Sequence, residues 1–474
     1  MRVLFIEPPK RFWFLMGEYL PPPLGILELA AYLEREVADL EIAVLDCQAE
    51  SMDWADLENR IRSFDPDIVA SSGLATCNAY VVARTLALAK QVKPEAVTVA
   101  GGQHFTSTAQ ESLEQYPEID VVVRGEGERS LASLVSALSK RAHLSNVEGI
   151  SFRSEGEVVH TPTQPLIRDL DTLPFPGYRY VRHVMNRYHF SMMAGRNAVY
   201  SIVEGARGCP HRCTFCTQWR HWGGVWRRKS PAKIADDMEL LFREYNSRFI
   251  WLADDNFILG EQASILCDEI SRRGLADEIM WFVQARCDDV VDNRELLPKI
   301  RRAGLRWMLL GAESHSRNVL QSFNKHIEPT QTRSAVRLLK ENDIFSQLTF
   351  IIGNREDSIE SIESLRRFAD SVDPDLAIFM VLTPFPGTDI YKVAKENGWI
   401  EDLNWANYDM IHPVMATEKL SRAELYEELY KCYRGFYGSW KRRLTGIASS
   451  NQLKRRTYRY MANRALLSQL RRLF

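Results

Sequence analysis

The chain has 474 residues, with 60 Lys and Arg against 62 Asp and Glu for a formal net charge of -2, and it is 45% hydrophobic and 26% charged. That is the balance of a folded globular protein of about three domains, and it excludes a largely disordered or collagen-like chain. No apolar run reaches the ~18–20 residues of a membrane-spanning helix and the opening stretch is too short for a signal peptide, so a cytoplasmic location is expected.

Residues 3–6 form a short apolar run, and Pro21-Pro22-Pro23-Leu24-Gly25 leads into a helical pattern over 26–35. Further strand-like runs fall at 41–45, 67–71, 96–100 and 120–123, with helical stretches such as 54–63 and 79–91 between them. Short apolar strands alternating with helices predict an α/β unit over residues 1–145, a doubly wound, Rossmann-like parallel sheet covered on both faces. Ligands of such sheets lie outside the carboxyl ends of the strands, where Gly101-Gly102-Gln103-His104 and Gly125-Glu126-Gly127-Glu128 fall. Over 146–199 the alternation stops. A hairpin about Gly156 is expected at 149–160, and Leu173-Pro174-Phe175-Pro176-Gly177-Tyr178 reads as an extended connector, so this stretch is expected to be a linker.

Over 200–398 the alternation returns, with apolar runs at 201–204, 249–253, 281–284, 307–311, 346–352 and 377–382 and helical patterns between them. Six β/α units without a reversal predict a complete or partial β/α barrel, whose reactive residues come from the carboxyl ends of the strands. Residues 399–474 are expected to form a mainly helical, basic extension. Tyr426, Tyr430 and Tyr433 stand at the spacing of a packed helix face, although aromatic residues here can also line a pocket. From 439 onward there are ten Lys or Arg, including Lys441, Arg442, Arg443, Lys454, Arg455, Arg456, Arg471 and Arg472, and no Asp or Glu. Such a tail suits an acidic protein surface, a phosphate-bearing substrate or anionic lipid, or else is a solvated helix without a partner.

Three of the eight cysteines, Cys209, Cys213 and Cys216, follow directly on the first strand of the second unit, in Arg207-Gly208-Cys209-Pro210-His211-Arg212-Cys213-Thr214-Phe215-Cys216. This spacing lets one loop wrap a cubane iron-sulfur cluster through three thiolates and leaves the fourth iron open for chemistry. The alternatives are zinc or bare thiols. Structural zinc uses four ligands, usually as two separated pairs, and no second CxxC or HxxxH follows. Cys47, Cys77, Cys267, Cys287 and Cys432 sit among apolar neighbours and read as small core residues.

The CxxxCxxC motif at the end of the first barrel strand resembles that of the radical S-adenosylmethionine (SAM) enzymes. The upstream domain, with Pro22-Pro23-Leu24-Gly25, Gly101-Gly102 and Gly125-Glu126-Gly127-Glu128, resembles the cobalamin-binding domain of the B12-dependent branch. Together the two resemblances cover about residues 1–400. They imply a cobalamin-dependent radical SAM methyltransferase with a 4Fe-4S cluster, SAM and cobalamin as cofactors. In that family a 5'-deoxyadenosyl radical activates an unactivated substrate carbon and methylcobalamin supplies the methyl group.

The same resemblance implies roles at further strand ends. Asp254 and Asp255 are placed near the SAM amine, Arg286 on the SAM carboxylate, Glu313 on the ribose side and Gly353, in Ile351-Ile352-Gly353, in the adenine motif. Pro384-Phe385-Pro386-Gly387-Thr388 is similar to the PxPGT turn of the branch. Taken singly, an Asp pair is usually a cap or turn, an Arg a surface ion pair and Pro-Gly a turn. Gly101, Gly102 and Thr106 match a GGxxxT-type loop that passes the nucleotide tail of cobalamin, and Gly125 and Glu126 are expected beside the cofactor. The DxHxxG motif of histidine-coordinated cobalamin is missing, so His104 is expected to be structural and the cobalt to lack a histidine ligand. No catalytic acid, base or nucleophile is singled out. Family substrates include protein side chains, hopanoid-type lipids, tetrapyrroles and antibiotic precursors; a glutamine or arginine of methyl-coenzyme M reductase is one example. The expected electron donor is of the ferredoxin or flavodoxin kind. The rivals are a B12-dependent cyclase of the magnesium-porphyrin type and a non-enzymatic cofactor-delivery module.

Overall fold

The computed structural model describes residues 1–10, 19–73, 75–195 and 198–470; Arg471 and Arg472 of the basic tail lie outside the described residues. The first strands in chain order are β1 (Arg2–Glu7), β2 (Tyr19–Leu20), β3 (Glu41–Asp46), β4 (Ile68–Ser72), β5 (Val97–Gly101), β6 (Val121–Val123), β7 (Ile150–Ser154), β8 (Glu157–His160) and β9 (His189–Phe190). Seven of them build one sheet in the order β3-β1-β4-β5-β6-β7-β8, parallel as far as β6, and β2 pairs separately with β9. Successive residues of a strand face opposite sides. Val3 and Phe5 accordingly join the core containing Leu27 and Ala30 of helix Leu24–Glu36, while Leu4 and Ile6 join Leu57, Ile61, Val82 and Leu86 on the other side.

Two expectations for 146–199 are corrected. The hairpin about Gly156 exists, but β7 pairs antiparallel with β6, so the hairpin extends the first sheet across the expected boundary at 145/146. The rest is not a free connector: Ile167, Leu170, Leu173, Tyr178, Val181 and Tyr188 are buried in a core shared by both units. The Tyr178 hydroxyl donates to the Ile202 carbonyl (2.6 Å) and accepts from the Ile202 N–H (2.9 Å), tying this stretch to the second sheet. The Tyr188 hydroxyl reaches Asp46 Oδ2 (2.9 Å) at the end of β3.

That last contact carries a pH prediction. Burial, reinforced by the neighbouring Glu7 carboxylate, pushes the Asp46 carboxyl up to about 7, against the hydrogen bonds it accepts from Ala49, Tyr188 and Gln48. The unfolded chain ionises this group near 3.8, whereas the folded chain holds the proton until about 7. Stability from this site therefore falls as pH rises through that window and is level above it. Asp46→Asn retains an acceptor for the two amides and gains a permanent donor toward Tyr188. The variant is expected to lose on the order of 4 kcal/mol of that pH dependence, read from denaturant midpoints across the window. A variant with the parent's pH slope would refute the assignment.

The second unit contributes β10 (Val199–Val203), β11 (Ala206–Arg207), β12 (Arg227–Arg228), β13 (Ser247–Leu252), β14 (Met280–Arg286), β15 (Leu305–Glu313), β16 (Phe345–Ile352) and β17 (Leu376–Val381). Six of these form an open parallel sheet in the order β10-β13-β14-β15-β16-β17, a half barrel, and β11 pairs antiparallel with β12. Between successive strands run helices such as Pro231–Tyr245, Glu261–Arg272, Pro329–Glu341 and Ile359–Val372. The amino ends of the strands are plugged by stacked rings, with Phe282 and Trp307 centred 4.1 Å apart and Tyr200, Phe249 and Phe190 around them.

An open sheet exposes an unpaired edge. Helix Arg422–Gly438 covers the β17 edge: the Tyr433 hydroxyl donates to the Phe379 carbonyl and accepts from its N–H, and Tyr437 does the same at Ala377, all at 2.7–3.0 Å. Tyr433 is thus a structural edge cover and does not line a pocket. Much of the basic extension is likewise engaged within the protein. Arg442 pairs with Asp373 (2.7 Å), Lys454 with Asp375 (2.9 Å), and Arg456 donates to the Ala194 carbonyl (3.0 Å), so the charge available to an acidic partner is smaller than the sequence suggests. No described helix is long and apolar enough to cross a membrane.

Candidate active site

The cysteine turn leaves the carboxyl end of β10 and is shaped from below by two carboxylates. Asp254 Oδ1, just past β13, accepts from the N–H groups of Gly205 (2.8 Å) and Ala206 (2.7 Å), and Asp255 Oδ2 accepts from that of Gly208 (2.9 Å). Burial raises both carboxyls, Asp254 to about 7 and Asp255 to about 6, against these same bonds. Gly208 has φ +86, and a side chain there would collide with the Val225 carbonyl. The turn itself closes through the Cys216 N–H on the Cys213 carbonyl (3.1 Å), which also accepts from Trp219 Nε1 (3.0 Å). Its outer side is pinned by Thr214 N–H on the Phe323 carbonyl (3.0 Å) and Asn324 Nδ2 on the Arg212 carbonyl (2.8 Å).

Cys213 is buried, and Cys209 and Cys216 are half-buried. Burial raises all three thiols, Cys216 to about 12; Cys209 is raised further by Cys213, and Cys216 by both Cys213 and Cys209. Buried sulfurs of this kind ionise when a metal centre stabilises the thiolate, which is the donor chemistry an iron-sulfur cluster requires. Among the described residues no three His, Cys, Asp or Glu side chains converge on a single-ion position. A cubane takes thiolates at separate corners, whereas a structural zinc takes four ligands at one centre.

Arg286, at the end of β14, is buried near the turn, where its charge lowers the Cys209 and Cys213 thiols. Its Nε and Nη2 are held by Asp288 at 3.0 and 2.9 Å. Glu313 ends β15 in a left-handed conformation, φ 58, and pairs with Lys325 Nζ (2.6 Å) while accepting from Thr349 Oγ1 (3.1 Å). Lys325 also faces Cys213 and lowers its thiol. Gly311 lacks a side chain where a Cβ would meet the tips of Glu313 and Lys325, which leaves room for that ion pair. Gly353, φ +86, donates its N–H to Asp357 (2.8 Å), and a Cβ there would stand 2.9 Å from Leu425 of the covering helix.

On the upstream sheet, Gly102 has φ +90 and lies so close to β4 that a Cβ would be 2.8 Å from Ser72 Oγ. Thr106 Oγ1 accepts from the Gly125 N–H (3.0 Å), so the two loops singled out from sequence are bonded to each other. Gly125, φ +68, has open space where a Cβ would be, a backbone free to meet a ligand. His104 is buried against Phe105 and Trp405 and its imidazole is pushed down to about 4 by burial, which makes it a neutral packed ring. At the carboxyl ends of β1 and β3 a cavity of about 940 Å³ is lined by Lys10, Tyr19, Gln48, Trp54 and His189 among others.

The Glu126 carboxylate is engaged within the protein, bonded to Arg207 Nη1 (2.6 Å), Arg227 Nη1 (2.9 Å) and the Ile167 N–H (2.6 Å). Asp254 and Asp255 hold the cysteine turn through its backbone, each with one carboxylate oxygen: Oδ1 of Asp254 and Oδ2 of Asp255. Sequence reasoning also missed Lys325, which looks like a solvated lysine in a short loop, and Arg207, which was noted only as a flank of the cysteine motif. The second fits a distinct signal, an arginine two residues before the first cysteine of a buried turn.

Residues 17–135 match the B12 binding domain and residues 203–369 the radical SAM superfamily. An uncharacterized methyltransferase of Pyrococcus horikoshii is 32% identical over 92% of this chain and 92% of its own length. The anaerobic magnesium-protoporphyrin IX monomethyl ester cyclase of Cereibacter sphaeroides is 32% identical over 92% of this chain and 70% of its own. Among solved structures, the radical SAM methyltransferase TsrM of Kitasatospora setae, with cobalamin and a [4Fe-4S] cluster bound, shares the fold at a TM-score of 0.72 and 17% identity, covering 92% of this chain and 88% of that one. With both domains matched in this order and relatives aligned along almost the whole chain, the protein belongs to the cobalamin-dependent radical SAM methyltransferase family and is an enzyme that uses a 4Fe-4S cluster, SAM and cobalamin.

Proposed function

We propose that the chain transfers a methyl group to an unactivated carbon of its substrate. The observation that carries this reading is the meeting of the two cofactor regions. Thr217, directly after Cys216, bonds to Gln103 of the upstream glycine loop (3.0 Å), and Gly387 of the Pro-Gly turn approaches Ser107 so closely that a Cβ would be 2.6 Å from its Oγ. A substrate between the turn and the upstream sheet is within reach of both.

When bound, the cluster supplies one-electron cleavage of SAM and cobalamin a transferable methyl group. The protein's part is to hold and to shield. Cys209, Cys213 and Cys216 hold the cluster, Arg286 and Glu313 with Gly353 border the SAM site, and Gly101, Gly102, Thr106 and Gly125 form the rim that receives cobalamin. Burial of the turn keeps water from a radical that would otherwise attack any nearby C–H bond. In balance, one substrate R–H, two SAM cations and two electrons from a ferredoxin- or flavodoxin-type donor give R–CH3, S-adenosylhomocysteine, methionine and 5'-deoxyadenosine.

The 32% identity to a cyclase favours a second reading, oxidative ring closure without methyl transfer. Anaerobic incubation with SAM, a low-potential reductant and candidate peptide, lipid or tetrapyrrole substrates separates the two. Methyl transfer is expected to yield S-adenosylhomocysteine and 5'-deoxyadenosine in about equal amounts. Deoxyadenosine alone, with a product lighter by hydrogen, would replace methylation by cyclisation, and absence of any SAM cleavage would leave only cofactor delivery.

A further inference from the structure

We infer that the upstream domain grips the cysteine turn at both of its ends, and that this two-point clamp sets the separation of the two cofactor sites. The inference rests on the reading that both cofactors serve one reaction.

The first grip is Arg207, two residues before Cys209. Its side chain is 2% exposed and makes four ion pairs: Nη1 to Glu126 (2.6 Å), Nη2 to Glu128 (2.7 Å) and Glu28 (3.3 Å), and Nε to Glu204 (2.7 Å). Three of these four carboxylates belong to the upstream domain, Glu28 on helix Leu24–Glu36 and Glu126 and Glu128 at the start of helix Gly127–Ser139. Arg227, paired with Arg207 across β11 and β12, also donates to Glu126 and stacks over Trp222 as Arg207 does. A planar fork with donors in several fixed directions defines a position, which a lysine's point charge does not. The second grip follows Cys216 directly: Thr217 Oγ1 donates to Gln103 Oε1 (3.0 Å) and Gln103 Nε2 donates to Gln218 Oε1. Gln103 begins the short helix after Gly102, on the rim that receives cobalamin.

Elsewhere among the described residues the polar contacts between the units are single ones, such as Lys395 with Glu111 (3.3 Å), the Trp405 N–H on the Tyr80 hydroxyl (3.3 Å) and the Tyr19 and Tyr200 hydroxyls (3.1 Å). The two grips with several bonds each fall within two residues of the first and last cysteines. Other contacts keep the domains docked elsewhere, among them the shared apolar core and the approach of Gly387 to Ser107. Cutting a grip therefore loosens the turn and leaves the domains together. The residues act as positioning residues, since none need touch substrate.

The test uses the full chain and two variants, Arg207→Lys and Gln103→Ala, the second removing no charge. Hydrogen exchange of the amides of residues 205–218 is measured first without cofactors, where both variants are expected to exchange about tenfold faster than the parent. In reconstituted protein, each variant is expected to keep its cluster and cobalamin, to show a broadened spin–spin interaction between cob(II)alamin and the reduced cluster by EPR, and to form several-fold more deoxyadenosine per S-adenosylhomocysteine. If Arg207→Lys does not fold, Gln103→Ala decides alone. Parent-like exchange and parent-like spin coupling in a loaded variant overturn the clamp. A parent chain that takes up no cobalamin overturns the functional reading instead, and the exchange measurement still decides the clamp.

Discussion

Replacing Cys213 by Ala is expected to abolish cluster binding and with it the formation of 5'-deoxyadenosine, while cobalamin is still taken up. Cys213 is the buried member of the three, 8% exposed, and it faces Lys325 and Arg286, whose positive charges favour its thiolate. Its contribution to the fold is made through its backbone carbonyl, which holds Cys216 N–H and Trp219 Nε1 and is untouched by the substitution. The change removes one sulfur from a buried position, so the stability loss is expected to be about 1 kcal/mol. Two thiolates cannot hold the cubane that three hold. The measurements are iron and sulfide per chain, the visible absorption of the reconstituted protein, cobalamin content and deoxyadenosine by chromatography. A variant with parent-like iron content and turnover would remove the basis for assigning the cluster to this turn.

Much of the architecture was legible because buried parallel strands announce themselves as continuous apolar runs. Residues 3–6, 41–45 and 307–311 fall within β1, β3 and β15. What a hairpin pairs with is not written in its own residues. The stretch around Gly156 gives away its turn, but its addition to β6 depends on an edge made elsewhere in the chain. The site divides in the same way. The cysteines were legible through their spacing, since the ligands of one cluster come from one turn. Asp254, Asp255 and Glu126 were found as acidic residues at strand ends, yet which backbone N–H or side chain a carboxylate meets depends on a segment 41 to 101 residues away. The aromatic and basic character of the last helices suggested partners outside the protein. Tyr433, Tyr437, Arg442 and Lys454 instead satisfy an open sheet edge and the acidic residues beside it, because a half barrel leaves polar groups that its own chain must cover.

Gly208→Ala is expected to lose the cluster as completely as the cysteine variant, by displacing the turn instead of removing a ligand. Gly208 stands between the Arg207 grip and Cys209 with φ +86, and its N–H is held by Asp255 Oδ2 at 2.9 Å. An Ala pays first for the left-handed backbone, about 1 kcal/mol. Its methyl group then meets the Val225 carbonyl oxygen, which cannot rotate away as a side chain can, and Trp222 Cβ at 3.2 Å. Either the segment around Val225 moves, which disturbs β12 and Arg227, or Gly208 leaves the Asp255 carboxylate and takes Cys209 with it. Both routes place the total at roughly 3 kcal/mol or more. Gly125→Ala is the matched control: its φ of +68 demands the same backbone strain, but no atom lies within 4 Å of the added carbon. The control is expected to fall by only about 1 kcal/mol in stability and to bind iron as the parent does. If Gly208→Ala matches Gly125→Ala in both melting temperature and iron content, the close approach to Val225 does not govern the turn, and the backbone conformation at residue 208 is not what presents the first cysteine.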